Sequence, residues 1–378
     1  MDKFSFLEIT ACIGIFVILF LAVFLLTVKT KHKFGNRLFA FFLIANAIDA
    51  SKFLIHHIPE NLINLEVFRW SIVYLVPASF YLYAMTVCYS DFRLKPKHLL
   101  HAIPFIAYNL NLISGVYFEN TAMKLLFIDN MNQMPVTHFF QFLFELLFQV
   151  YFIASFLVIR KSRTVYLEND ANPNISVINA LYKITILYYF LHFFVLLRWL
   201  VTFTVGVGEF RAWIVTLDGF SFLFCTCWYL LTALNNPEFF RGVNSHLKPI
   251  SEVVTKQKAL PAISDEKNRQ IESLKDYMIS NEPYLDSSLT IQDLAEQVKM
   301  PIKDLSALIN LYMNKHFFDF INEYRIEKAK EILKDSSQKD LTILEILYQV
   351  GFNSKSSFST SFKKHTGKTP TEFRKSSF

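Results

Sequence analysis

Long apolar stretches crowd residues 1–235 and stop there. A helix needs about 20 predominantly apolar residues to cross the hydrocarbon core of a bilayer. Seven stretches approach that length, at about 6–28, 38–58, 68–89, 99–118, 138–159, 181–204 and 211–234. With 53% hydrophobic residues and 41 Phe among 378, the chain is too apolar for an ordinary soluble protein. The first stretch does not read as a removable signal peptide: its apolar part is too long, it lacks a basic leader, and Lys29 to Arg37 follow it where small residues would mark a cleavage site. The expectation is an all-α chain that opens with a seven-helix transmembrane bundle over residues 1–235.

Charge supplies an orientation. The net charge of +6 is modest, so its distribution matters more than its size. Lys29, Lys31, Lys33 and Arg37 occupy the first connection, Arg93, Lys95 and Lys97 the third, and Arg160, Lys161 and Arg163 the fifth. Short basic loops stay on the cytoplasmic side. The other connections hold Glu60 and Glu66, then Glu119 and Asp129 with Lys124, then Glu209. With seven spans the N-terminus lies outside and residues 235–378 lie in the cytoplasm of a bacterial inner membrane, where lipid is the first partner.

Cys12, Cys88, Cys225 and Cys227 sit in apolar surroundings without CxxC spacing, so they read as buried free thiols. His56 with His57, and His98 with His101, have no carboxylate or Cys at ligand spacing, so no metal site is indicated. No HExxH, Gly-rich nucleotide loop or suitably spaced carboxylate pair points to an enzyme, and no cofactor is expected. Charges inside apolar spans cost about 2.5–3.5 kcal/mol each at the centre. Asp49 and Lys52 in the second stretch, Glu145 in the fifth, Arg198 in the sixth and Asp218 in the seventh are therefore candidate ligand-binding residues. Asp49 falls near the midplane of its stretch and the others in the outer third, with Arg198 and Asp218 deep enough to pair. A polar pocket open to the outside and a salt-bridge cluster holding the bundle together both fit them.

After Asn236 the chain turns polar. Pro237, Pro249 and Pro261 break any long helix, so 236–263 reads as a linker. Ser264 is an expected N-cap for a helix carrying Ile271, Leu274 and Met278. An internal repeat follows, in which Thr290 to Val298 matches Thr342 to Val350. Each copy begins with a capping box, Thr290 with Asp293 and Thr342 with Glu345. Each leads through a tight turn to a second helix, with Pro301 at the start of one and Gly351 then Asn353 as N-cap in the other. The pattern predicts two helix-turn-helix units, at about 290–310 and 342–365. Phe317, Phe320, Ile321, Tyr324, Ile332 and Leu333 keep a 3.6-residue period between them, predicting a connecting helix over about 316–334. Such a helix, roughly 27 Å long at 1.5 Å per residue, separates the two second helices by nearly one DNA turn, which suits reading successive major grooves.

On the run from Arg325 to Leu333, and on Gly351, Phe352, Asn353, Phe358, Phe362, Lys363, Lys364, Gly367, Thr369, Pro370, Phe373 and Arg374, residues 264–378 resemble the AraC family of transcriptional regulators. The resemblance implies binding of double-stranded DNA near promoters, commonly as a homodimer, with RNA polymerase a candidate partner and the preceding region as the sensor. It does not say what signal ligand that region detects. Leu347 stands where the family usually has Ala, and Ala307 and Asn310 where it commonly has basic residues.

Candidate DNA contacts are Lys303 and Ser306 in the first unit, and Asn353, Lys355, Ser356, Ser359, Thr360, Lys363 and Lys364 in the second. Residues 351–378 set six Lys and Arg against Glu372 alone, so the second unit is expected to supply most of the affinity. Arg325 reads as a structural, ion-pairing residue of the connecting helix and not as a DNA contact. The expected function is a membrane-anchored, sequence-specific DNA-binding regulator that couples a signal to gene expression. The alternative is a membrane receptor or transporter-like protein whose cytoplasmic helical domain binds a protein partner.

Overall fold

The computed structural model describes residues 6–30, 33–54, 62–89, 92–131, 134–172, 175–205, 211–235 and 265–376. Among them the chain is helical, with no strand and one isolated antiparallel bridge between Asp170 and Thr290. The expected linker 236–263 and the expected cap Ser264 lie outside the described residues, as do His56 and His57. The chain divides into two units: Met1–Arg160 with Ile175–Asn244, and Lys161–Asn174 with Ser245–Phe378.

In the first unit α1 (Phe6–Thr27), α2 (Lys33–Ala50), α3 (Ile63–Ile72), α4 (Val76–Cys88), α5 (Ile103–Leu112), α6 (Thr121–Asn130), α7 (Pro135–Asn169, whose residues from Lys161 on belong to the second unit), α8 (Ile175–Val205) and α9 (Arg211–Asn235) follow in order. Aromatic rings build much of its interior. Phe39 stacks on Tyr83 at 4.5 Å between centroids, Phe80 on Phe152 at 4.9 Å, Phe152 on Tyr188 at 5.3 Å and Tyr188 on Tyr229 at 5.6 Å. Such pairs add to area burial. Outward faces are also apolar: Phe16 and Phe20 on α1, Val150 and Leu157 on α7, and Phe194 and Val201 on α8 are exposed.

Among the described residues, four helices are long and apolar enough to cross a membrane: Phe6–Thr27, Ile63–Cys88, Pro135–Asn169 and Val177–Val201. Three of the seven expected spans depart from that standard. In the second, α2 closes at Ala50, so Asp49 lies in its last turn instead of mid-span, and Lys33, Arg37 and Asp49 dilute it. The fourth breaks into a 3-10 segment (Pro96–Ala102), α5 and a π turn (Ile113–Tyr117), Pro96 and Pro104 lacking the amide N–H that a continuous helix needs. The seventh is continuous as α9, but Asp218 and the hydroxyls of Ser221 and Thr226 interrupt its apolar run.

The second unit holds α10 (Asp265–Asn281), α11 (Ile291–Gln297), α12 (Ile302–Ala307), α13 (Phe317–Lys334), α14 (Ile343–Gln349), α15 (Lys355–Thr366) and α16 (Pro370–Lys375). Two apolar clusters organise it. One gathers Leu274, Met278, Leu294, Leu305, Ile309, Phe317 and Phe320; the other gathers Ile326, Leu333, Ile346, Leu347, Phe352, Phe358 and Phe362. The connecting helix α13 contributes to both, so burial of its two halves ties the clusters into one body.

Candidate nucleic-acid interface

Each half of the second unit is a short helix, a turn and a second helix. Thr290 starts α11: its N–H donates to Asp293 Oδ2 at 2.9 Å, and the Asp293 N–H donates back to Thr290 Oγ1 at 3.3 Å. After the turn come α12 and a π turn, Leu308–Tyr312. Pro301 stands just before α12, one position earlier than expected. Thr342 starts α14 in the same way, with 2.7 Å from its N–H to Glu345 Oε2 and 3.1 Å from the Glu345 N–H to Thr342 Oγ1. The backbone N–H of Thr342 holds the Glu345 carboxyl below the usual carboxylate range.

Gly351 makes the following turn at φ +87°, where a Cβ would stand 2.5 Å from the Tyr284 carbonyl oxygen, so both the dihedral and the space require glycine. Ser354, not Asn353, caps α15, its hydroxyl accepting from the Ser357 N–H at 3.4 Å. Leu347, large where the resemblance favours Ala, is accommodated fully buried within the Phe352, Phe358 and Phe362 cluster.

Arg325, in the middle of α13, is 0% exposed. Its Nε donates to Tyr284 O at 2.6 Å, and its terminal nitrogens to Asp286 O at 2.8 Å and Ala171 O at 3.2 Å. Burial pushes the guanidinium down to about 10, against the pull of Asp170 and Asp286. The role is structural, as expected, but the hydrogen-bond partners are backbone carbonyls.

The second unit's candidate contacts form one stripe. Asn353, Lys355, Ser356, Thr360, Lys363 and Lys364 are exposed and Ser359 is half-buried, while Phe358 and Phe362 face inward. Lys364 also meets Asp319 Oδ1 at 2.6 Å. The first helix-turn-helix differs. Lys303 is exposed, but Ser306 is only 4% exposed, and its hydroxyl accepts from Asn310 Nδ2 at 3.1 Å. A cavity of about 510 Å³ runs beside it, bordered by Ser306, Asn310, Asp319, Lys364, His365 and, from the end of α7, Glu168.

The candidate ligand residues of the first unit fall into three separate groups. Lys52 Nζ lies 2.8 Å from Asp49 Oδ2, and Arg69 reaches Asp49 Oδ1 at 3.6 Å while pairing closely with Glu66. Glu145 Oε2 stands 3.0 Å from His192 Nδ1, whose ring stacks on Phe148 at 3.5 Å. Arg198 meets Asp218 at 2.5 Å. Glu66 and Arg69 were not among the expected residues, because α3 begins at Ile63, before the apolar stretch does. His101 Nδ1 contacts the Tyr151 hydroxyl at 2.7 Å, and no group of three or more metal-binding side chains occurs among the described residues.

Residues 294–376 match a family model described as a helix-turn-helix domain. The chain is 34% identical over 90 residues to the melibiose operon regulatory protein of Escherichia coli (strain K12), covering 24% of this chain and 29% of that protein. It is 35% identical over 89 residues to an uncharacterized HTH-type transcriptional regulator of Pseudoalteromonas carrageenovora, covering 24% and 51%. It is 30% identical over 89 residues to the Msm operon regulatory protein of Streptococcus mutans, covering 24% and 31%. The chain thus spans between under a third and about half of the length of these relatives. Among solved structures, the C-terminal domain of AraT, a response regulator from Geobacillus stearothermophilus, is 28% identical over 31% of this chain and 88% of that one, at a TM-score of 0.24. The C-terminal part of the chain carries a helix-turn-helix domain of AraC type, and its relatives are transcriptional regulators.

Proposed function

We propose that the chain is a membrane-anchored regulator that binds double-stranded DNA by sequence and couples a signal at the membrane, or outside it, to transcription. The observation that carries this reading is the paired helix-turn-helix architecture on an 18-residue strut, with Lys355, Ser356, Thr360 and Lys363 exposed along the second recognition helix. Cations and hydroxyls on such a face contact phosphates and base edges, and phosphate neutralisation supplies most of the sequence-independent affinity. Within this reading the DNA-binding domain is 264–378, the linker 236–263 and the membrane region 1–235. Lys303, Ser306, Asn353, Ser359 and Lys364 complete the DNA-contacting set. The protein acts as a homodimer with RNA polymerase as a further partner.

Anchoring draws support from the four long apolar helices and from outward faces that stay apolar, which in water would be a large uncovered patch. In the proposed topology seven spans leave the N-terminus outside and the DNA-binding domain in the cytoplasm. The signal acts on the polar groups around Asp49, Lys52, Glu145, Arg198 and Asp218. A ligand that binds these better in one arrangement of the helices than in another shifts the population by that difference.

The test is capture of genomic fragments by the full chain in lipid nanodiscs, followed by sequencing. The expected result is enrichment of a bipartite motif with half-sites about one helical turn apart. Recovery of protein partners with no enriched DNA would replace this reading with that of a protein-binding receptor.

A further inference from the structure

We infer that the end of α7 and the turn after it, Glu168 to Asn172, are an intramolecular inhibitor of the DNA-binding domain: they keep the face of the first recognition helix covered, and that helix-turn-helix engages DNA only when they withdraw. The inference rests on the DNA-binding reading above.

The loop is seated by specific bonds. Ala171 is 0% exposed and belongs to the same apolar cluster as Leu289, Leu305 and Ile309. Its N–H donates to Leu289 O at 3.2 Å and its carbonyl accepts from Arg325 at 3.2 Å. Asn172 Nδ2 donates to Ser287 O at 2.6 Å and to Gly351 O at 3.0 Å. These contacts reach the entry to the first helix-turn-helix unit, the connecting helix and the turn of the second unit. The seat is therefore the junction of the whole reader.

Coverage follows from helix geometry. Leu305, Leu308 and Ile309 point α12 into the core, so at 100° per residue Ala307 stands opposite the core and Ser306 on the flank. An uncovered helix would leave both open. Instead Ser306 is buried, in part by Asn310 of the following turn, whose Nδ2 donates to its hydroxyl, and Ala307 is half-buried, with Glu168 bordering the cavity alongside them. On α15, by contrast, Lys355, Ser356 and Thr360 stay exposed.

Charge completes the argument. Glu168, Asp319 and Glu323 line this cavity, while Lys364 pairs with Asp319 and Lys315 with Glu323, so a phosphate arriving there meets carboxylates and occupied cations. Asn310 Oδ1 is buried in the same place without a hydrogen-bond partner. An orphaned acceptor of this kind is costly, and a base-edge donor would satisfy it once the loop has left. Because the chain runs from this loop directly into two long apolar helices, a signal that moves either helix acts on the loop through the backbone.

The test uses the full chain in nanodiscs. Asn172→Asp sets a carboxylate against two carbonyl oxygens, and Ala171→Trp wedges the loop out of its seat; neither residue is among the proposed DNA contacts. Two readouts are taken: modification of Ser306→Cys by a polar maleimide, assigned by peptide mass, and affinity for a random-sequence duplex. The expected result is that both rise together in the loop variants, by about tenfold, within the usual span of an intramolecular coupling. Fast modification with the native loop, or protection that persists in both loop variants, overturns the inference. So does unchanged affinity after release, and if Lys363→Ala still weakens DNA binding in that case, the DNA-binding reading stands while inhibition falls. Absence of DNA binding by every form overturns both.

Discussion

At Arg325 a charge is held where water cannot reach it, and its lowered pKa indicates that burial outweighs the attraction of Asp170 and Asp286. The side chain therefore acts by direction more than by net energy: one planar fork ties the strut to Tyr284, Asp286 and Ala171 at once. Arg325→Met would orphan three carbonyls at about 1–3 kcal/mol each. The expected loss is roughly 3 kcal/mol or more, read from amide exchange in α13; Arg325→Lys should recover only part of it. Glu345 behaves differently because it is exposed. Its carboxyl is depressed by the Thr342 N–H, so its contribution is complete above the unfolded carboxylate value and fades as pH falls through the folded one. Stability of the domain against thermal unfolding should fall below a pH of about 4. Glu345→Gln, which keeps an acceptor for the same N–H, should remove that part of the pH dependence. Thr342→Ala should cost about 1 kcal/mol at every pH, and an unchanged midpoint would show that the box contributes nothing.

Among the elements, α15 is the one proposed to present its exposed face to DNA. Lys363→Ala should lower affinity on all sequences and flatten the salt dependence by about one unit of log–log slope. Lys364→Ala should do less, since Asp319 already engages that cation at 2.6 Å; titrations at several salt concentrations separate the two. Much of this element was legible in advance because its signals are local. Thr290 with Asp293, Thr342 with Glu345, and Phe358 with Phe362 lie within one helical turn of each other, so spacing alone reveals them. Ser354 replaced Asn353 as the cap because both side chains suit that role and only the backbone decides between them. Glu66 reads as part of a connection because α3 starts at Ile63, before its apolar stretch, and Arg69 stands at the very edge of that stretch. The loop at Asp170 to Asn172 was illegible for a stronger reason. Its partner Gly351 lies 179 residues further along the chain, and nothing in a short polar turn encodes so distant a seat.

For the whole molecule, the proposed membrane topology has to satisfy parity as well as hydropathy. If only the four helices that are both long and apolar enough crossed, the loop between the third and fourth would lie on the opposite side from everything after residue 201. Yet Lys161–Asn174 and Ser245–Phe378 form one compact unit, with Ala171 inside its apolar core. In the proposed topology an even number of crossings therefore separates the loop from the C-terminal domain. The helix available besides α8 is α9, whose 25 residues extend about 37 Å at 1.5 Å each, enough for a core of about 30 Å. Its interrupting charge, Asp218, is met by Arg198 on α8, so the cost of carrying a carboxylate into the bilayer is reduced by a partner already there. The prediction is that reporters inserted after Asn172 and after Ser376 signal the cytoplasmic side, and one inserted between α8 and α9 the outer side. Arg198→Ala, which strips Asp218 of its cation, should leave α9 poorly inserted and lower the yield of correctly oriented protein, with the double variant Arg198→Ala and Asp218→Asn restoring it. A reporter between α8 and α9 that shared the side of the other two would mean that neither helix crosses, and the membrane region would have to be rebuilt around the remaining spans.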